Sequence, residues 1–443
     1  MYKPPIAIGV SYLIFTFGYI FSVGFYHVGE LAILLTVYLS LLAFYLRPSL
    51  LQKVQIPNDA ISLKFILTLV LIINIAVVGA RLGDSSQTNW AFFSLADRIL
   101  AFIALVVAFT LLLKNFPAKF IPHRFVLLII VALIIRVFSI LSAPNPTIDV
   151  FYILKDGPKQ ILQGANPYEL NYPAPYGVYI PKIIYVYGPL TPFVFLPSVA
   201  LLNDPRYTLI AADLISLLVI LMLAKLLKIP QQYAQLSALI FFYHPFFPFM
   251  TEQAWLEPVI TAFTFSATYF LVKSPKKPWG GVFLGSILAI KSVYALPLLV
   301  YLKNTKSKAL NYIAAAIVPV ALTLPFLLAN APLFLERTQI YVTDPGAISN
   351  NLAPTNISLS VSAVILKYTG IVIPTLVTFA LGILISLVVL LFKKPNFAFA
   401  PLSLFLVFMT LFMFGPFVFL NYFAYLGNLL ILTIIFFIAR ERK

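Results

Sequence analysis

Cysteine is absent from this chain of 443 residues. Disulfides, zinc–thiolate sites, iron–sulfur clusters and cysteine nucleophiles are therefore excluded. Histidine is nearly absent. His27, His123 and His244 are too few and too scattered for a multi-histidine metal site, so neither a metal nor another cofactor is expected. No glycine-rich nucleotide loop of the P-loop or dinucleotide type occurs. Charge is scarce as well: Asp, Glu, Lys and Arg make up 10% of the residues, against roughly 25% in soluble domains. Apolar side chains fill the space, at 61% hydrophobic residues and a mean hydropathy of +0.99. A water-soluble fold of this length cannot hide that much apolar surface, so its solvent is lipid.

Apolar runs near the length of a membrane span occupy 6–26, 31–46, 62–82, 91–113, 124–143, 207–227, 233–250, 258–272, 309–330, 371–392, 397–414 and 422–439. The first lacks a small-residue cleavage site and reads as a span, not a signal peptide. Two more segments, 188–202 and 279–302, are interrupted by proline or charge. The expected fold is an all-α polytopic bundle of roughly 12 to 15 transmembrane helices, with short amphipathic helices in an outer loop. Residues 1–120 read as an N-terminal four-helix membrane extension. Residues 121–443 form the main membrane module, with outer loops at 144–187 and 331–356.

The net charge is +16. Its basic residues fall in short clusters between apolar runs, the pattern of cytoplasmic loops and not of a nucleic-acid surface. Arg47 with Lys53, Lys114 with Lys119 and Arg124, Lys303 with Lys306 and Lys308, and Lys393 with Lys394 are such clusters. The first five spans then place 144–187 on the non-cytoplasmic side of a multi-pass cell-membrane protein. Lys225 with Lys228, and Lys273 with Lys276 and Lys277, also read as cytoplasmic. Simple alternation accommodates both only if a segment such as 188–202 re-enters without crossing.

The first outer loop concentrates the polar chemistry. It carries Asp149, Asp156, a GANPY turn at 164–168 and seven tyrosines between Tyr152 and Tyr187. Asp149 and Asp156 are seven residues apart, close to two helical turns, so one helix would align them. Pro158 allows another reading, in which Asp156 caps a new helix. A carboxylate at the water–lipid boundary suits a general base, because partial desolvation raises its pKa. A solvated or capping acid is the plainer role. Asn166 and Pro167 initiate a turn. Tyr168, Tyr172, Tyr176, Tyr179, Tyr185 and Tyr187 fit either an interfacial aromatic belt or stacking on sugar rings.

Deeper in the apolar runs, Lys291 sits near the centre of 279–302, where a lysine is costly and calls for a partner such as a phosphate or a carboxylate. Arg136 is closer to a span end, within snorkelling reach of the interface. His244, Glu252, Trp255 and Glu257 make a second polar cluster around the hairpin YHPFFPFMTEQAWLEP. Asn421 and Tyr422 are polar islands in the last apolar run.

The order of these features resembles that of the GT-C superfamily of polytopic glycosyltransferases. Over about 120–440, a span with Arg136 leads to Asp149, then LQGANPY, YVYGPLTPFVFLP, GGVFLGSILAIKSVYALPLL with Lys291, and APTNISLSV. This series is most similar to family 87, the polyprenol-phosphate-mannose-dependent mannosyltransferases, and also to the catalytic subunit of GPI mannosyltransferase I. The chain departs from the family with YVYGPL where YxYPPL-like patterns are usual, and with its four added spans.

The resemblance implies an inverting transfer of a hexose, with mannose favoured, from a polyprenyl-phosphate donor to a hydroxyl of a lipid, glycan or protein acceptor. It implies Asp149 as general base and Lys291, with Arg136, at the donor phosphate. Asp156, Asn166, Tyr168, Tyr187, His244, Trp255, Glu257, Asn421 and Tyr422 are the candidates for holding sugar or acceptor. A monophosphate leaving group is served by Lys or Arg, so this chemistry requires no metal. A lipid or glycolipid transporter, and a non-catalytic assembly subunit, are the alternative readings.

Overall fold

The structure, a computed structural model, describes residues 3–20, 27–50, 62–81, 90–113, 121–172, 183–305, 307–343, 358–371, 373–391, 396–415 and 418–441. Tyr176, Tyr179, Lys53, Lys114, Lys119, Lys306, Lys393, Lys394 and the part of the second loop from 344 to 356 lie outside the described residues.

The fold is all-α. In chain order the helices are α1 (Lys3–Ile20), α2 (Val28–Leu46), α3 (Leu63–Arg81), α4 (Trp90–Phe109), α5 (Ile121–Ser142), α6 (Asp149–Leu162), α7 (Thr191–Leu202), α8 (Arg206–Leu226) and α9 (Gln231–Phe242), followed by α10 (Phe247–Glu252), α11 (Glu257–Lys273), α12 (Trp279–Leu288), α13 (Ala295–Asn304), α14 (Ala309–Thr343), α15 (Val361–Thr369), α16 (Thr375–Leu391), α17 (Ala400–Phe414) and α18 (Leu420–Arg440). One two-residue strand pair, β1 (Asn171–Tyr172) with antiparallel β2 (Ile183–Ile184), lies in the first outer loop.

Eight described helices are long and apolar enough to cross a membrane. Their packing follows from where the apolar surface faces. The apolar window of α18 is 94% buried and that of α14 only 6%, so α18 forms the axis and α14 the rim. Ile313, Ile317, Val320, Leu324 and Leu328 make an exposed apolar stripe along α14, a surface that only lipid solvates well. The N-terminal helices belong to the same core as the rest. Tyr19 meets His244, the Asn74 amide donates to Tyr12 Oη and to the Ile240 carbonyl, and Tyr38 bonds Thr410 at 2.7 Å.

Two helix pairs do not cross. Arg206 Nη1, at the start of α8, donates to the Ala143 carbonyl at the end of α5, 2.6 Å away. The whole stretch 144–205, including α7, therefore leaves and returns at one end of the bundle, called here the loop end. The segment 279–304 turns back from the opposite, basic end. Asn311, at the start of α14, accepts from Gly281 N at the start of α12 and donates to the Pro275 carbonyl. At the far side of the turn, Asn304 at the end of α13 donates to Ser403 near the start of α17. Both arms thus begin and end at the basic end, with the break at 289–294 forming the tip of a re-entrant hairpin. A Cβ on Gly281 would overlap the Asn311 backbone, so a small residue is what lets α12 and α14 approach. With 188–202 and 279–304 both re-entrant, Lys225, Lys228, Lys273 and Lys277 share one end without conflict.

Candidate functional site

The first outer loop is built on α6. Its apolar face buries Phe151, Ile153, Leu154, Gly157 and Pro158. Asp149 is the first residue of α6, and its Oδ1 accepts from Val150 N at 2.9 Å, where the helix dipole favours an anion. The helix runs unbroken through Pro158. Asp156 therefore does not cap a second helix, and instead pairs with Lys159 at 3.4 Å on a partly exposed surface. The buried face holds α6 together where proline removes one backbone donor. Asp149 and Asp156 share one helix face, as their spacing requires.

The GANPY turn is structural. Gly164 has φ +72°. Asn166 accepts from Tyr168 N at 3.1 Å and donates to Glu169. Tyr168 is fully buried: its hydroxyl donates to the Tyr187 carbonyl at 2.8 Å, and its ring meets Tyr185, Phe326 and Phe334 edge-on. Its expected role on a sugar is corrected here, because no face of the ring is open. Ile153, Tyr172 and Phe334 complete this small second core. Burial pushes the Tyr168 and Tyr172 hydroxyls well above their ordinary value, so both act as neutral hydrogen-bonding groups.

Below the loop lies a buried polar cluster. Arg136 does not snorkel. It is 1% exposed; Nε donates to Asp213 at 2.9 Å, Nη1 to the Ala132 carbonyl and Nη2 to the Phe242 carbonyl. The Phe242 and Phe247 rings sandwich the guanidinium at 4.0 and 3.8 Å. Arg136 lies six residues before the end of α5 and Asp213 seven after the start of α8, so the pair sits about 10 Å below the loop end at 1.5 Å per residue. With its donors engaged in this way, Arg136 is not poised to hold a donor phosphate directly. His244 Nδ1 accepts from Phe246 N, which leaves Nε2 as the donor to Tyr19 Oη at 3.1 Å.

Lys291 occupies the tip of the re-entrant hairpin. Its Nζ pairs with Glu257 Oε1 at 2.7 Å and lies 4.8 Å from the Tyr422 ring centroid and 6.0 Å from that of Tyr187. The interrupted segment 279–302 is thus broken at the lysine, and a carboxylate is its partner. Glu257 opens α11, where the helix N-terminus favours its charge. Its second oxygen, Oε2, is buried without a hydrogen-bond partner among the described residues. Glu257 also lines a cavity of about 10 Å³ with Arg136, Asp213, His244, Met250 and Asn428, room for about one water molecule. Asn421, beside Tyr422 in the first turn of α18, is buried.

Loop and tip are joined by backbone. Gly188 N donates to the Ile290 carbonyl at 2.8 Å and Leu190 N to the Ala289 carbonyl at 3.0 Å. A Cβ on Gly188 would overlap Ala289, and a proline there would lack the donor. The YVYGPL variant is thus matched to the tip it touches. These bonds carry Tyr187 to Lys291. Tyr187, Lys291, Glu257 and Tyr422 come together; Asn166, Tyr168 and Asp156 stand apart from them as loop structure.

Asp204, Arg206 and Asp213 were not singled out from sequence; Glu252 was, as part of the polar cluster with His244, Trp255 and Glu257. Arg206 chelates Asp204, bonds Ala143 and stacks over Phe151 at 5.0 Å, bracing the start of α6. Glu252 lies in the connection between α9 and α11 and accepts from Gln253. Burial raises its carboxyl to about 6, against smaller opposing effects of Gln253 and Arg206. Ala254 adopts φ +56° two residues on, turning the chain towards half-buried Trp255, which meets Phe249 edge-on. Comparison with family models, curated proteins and solved structures finds no match to this chain.

Proposed function

We propose that the protein is a membrane glycosyltransferase that moves a hexose, mannose by preference, from a polyprenyl-phosphate carrier to a hydroxyl acceptor at the non-cytoplasmic face of the cell membrane. The single observation that supports it most is the docking of Tyr187–Leu190 onto the Lys291 tip. It couples an acid-bearing outer loop to the one lysine held at membrane depth in this cluster. In the proposed reaction Asp149 takes the proton of the acceptor hydroxyl as that oxygen attacks the anomeric carbon. The carbon–oxygen bond to phosphate breaks with inversion, and the polyprenyl phosphate leaves with the electron pair. Lys291 neutralises its charge. The 10 Å³ cavity is too small for a hexose. The sugar therefore lies outside it, with the prenyl chain in lipid.

The test is purified protein in nanodiscs with polyprenyl-phosphate mannose, glucose and arabinose in turn, and a simple alkyl glycoside as acceptor. Formation of a new glycosidic bond, lost in Asp149→Asn with donor binding kept, supports the reading. Absence of transfer from every donor counts against it. A transporter is the second reading, favoured by the buried Arg136–Asp213 pair and the Glu257 carboxylate on one cavity beside a re-entrant hairpin. It predicts movement of substrate across sealed vesicles without bond formation.

A further inference from the structure

The Glu257–Lys291 pair is unusual in being buried yet incompletely satisfied. Glu257 is 1% exposed, and its Oε1 takes one ammonium proton while its Oε2 has no donor among the described residues. A buried ion pair offsets its desolvation only when the remaining lone pairs are also bonded. Other groups face this carboxylate without relieving it. Tyr294 from the hairpin lies within reach of its charge, yet among the described residues the Tyr294 hydroxyl is itself buried without a partner. Arg136 from α5 is committed to Asp213 from α8 and to two carbonyls. His244 donates to Tyr19. Tyr422 of α18 packs its ring on Lys291.

We infer that Glu257 is a displaceable counter-ion that holds the place of a phosphate group on Lys291 and takes up a proton when that phosphate binds. The inference rests on the glycosyltransferase reading, since it names the donor's phosphate as the ligand. The physical reason is charge. A phosphate oxygen and a carboxylate that share one ammonium are anions only a few ångströms apart in a low-dielectric site, and two such groups do not both stay ionised. The lone lysine cannot neutralise both. The Arg136 charge is already paired with Asp213, so the missing positive charge is a proton from solvent, which lands on Glu257. The balance is a Lys291–carboxylate pair plus lipid phosphate plus one proton, giving a Lys291–phosphate pair plus a neutral carboxyl. The unpartnered Oε2 is the atom that accepts it, and the new O–H is then a donor towards the phosphate. Glu257 is a positioning residue in this scheme: it sets when Lys291 is free.

The experiment is calorimetric titration of the full chain in neutral-lipid nanodiscs with polyprenyl-phosphate mannose, a phosphodiester that unlike a monoester has no second ionisation at about pH 6, in two buffers of different ionisation enthalpy, from pH 6 to 8. Uptake of about one proton per lipid bound is expected, with affinity falling about tenfold per pH unit above the midpoint. Glu257→Gln should bind without proton uptake and with affinity independent of pH, whereas Lys291→Met should not bind. Binding to the wild type without proton uptake overturns the inference and leaves the transferase reading standing. So does uptake that persists in Glu257→Gln, or binding that survives Lys291→Met. Failure of the wild type to bind any polyprenyl phosphate overturns both. Equal binding of inorganic phosphate overturns the lipid-borne assignment. If Glu257→Gln does not fold, the wild-type proton count decides alone.

Discussion

Gly188→Ala is the sharpest probe of how this protein is assembled. The added Cβ would overlap the Ala289 carbonyl at the tip of the re-entrant hairpin. To relieve it, the tip and the loop must separate, which stretches the bonds from Gly188 to Ile290 and from Leu190 to Ala289. Two such bonds are worth about 0.5–1.5 kcal/mol each, and overpacking adds about 1–3 kcal/mol, for a total of roughly 2–6 kcal/mol. Gly164→Ala is the matched control: its φ is +72° but nothing lies within 4 Å, so only backbone strain of about 1 kcal/mol is expected. Reversible unfolding in mixed micelles measures both. Because the chain has no cysteine, a pair introduced at Leu190 and Ala289 reports the docking directly by disulfide formation, without background. A loss below about 0.5 kcal/mol for Gly188→Ala, with cross-linking unchanged, would refute the idea that loop and tip are held together at this glycine.

Arg136→Met should cost about 3–5 kcal/mol, because it strands the Asp213 carboxylate in the bundle; pairing it with Asp213→Leu should recover much of that loss in the same assay. Tyr168→Phe removes only the bond to the Tyr187 carbonyl and should cost about 1 kcal/mol, whereas Tyr168→Ala empties a fully buried ring site and should cost about 3–5 kcal/mol. Glu252 has a folded-state value near 6 against an ordinary 4.5, so the folded protein holds a proton that the unfolded chain has released across that window. Stability should therefore fall as pH rises from about 4.5 to 6, and the melting temperature of Glu252→Gln should show a flatter dependence there; an identical slope in wild type and variant would remove Glu252 as its source.

Much of the fold was legible because burial in lipid writes itself into composition. The apolar runs, the basic clusters between them and the amphipathic α6 all follow from a solvent that accepts no unpaired backbone groups. The need for a partner at Lys291 was legible for the same reason, as was the break beside it. Pro158 misled in one respect, since a helix with a well-buried face tolerates it. The tyrosines also misled. An aromatic residue beside a turn reads alike whether it faces a ligand or, as Tyr168 does, packs into a small core. Asp213 gave no signal, because a single acid in a helix declares its partner only when Arg136 is placed opposite it, 77 positions away in the chain.

By itself the sequence settled that this chain lives in a membrane, that its chemistry does without thiols, and where polar groups interrupt the apolar runs. Tertiary structure decided which of those groups meet. That 279–304 turns back instead of crossing, that its tip seats on Gly188, and that Lys291 faces Glu257 depend on contacts between segments about 30 to 100 residues apart. Local propensity and hydropathy average over such distances, whereas the close fit of backbone on backbone selects a single partner.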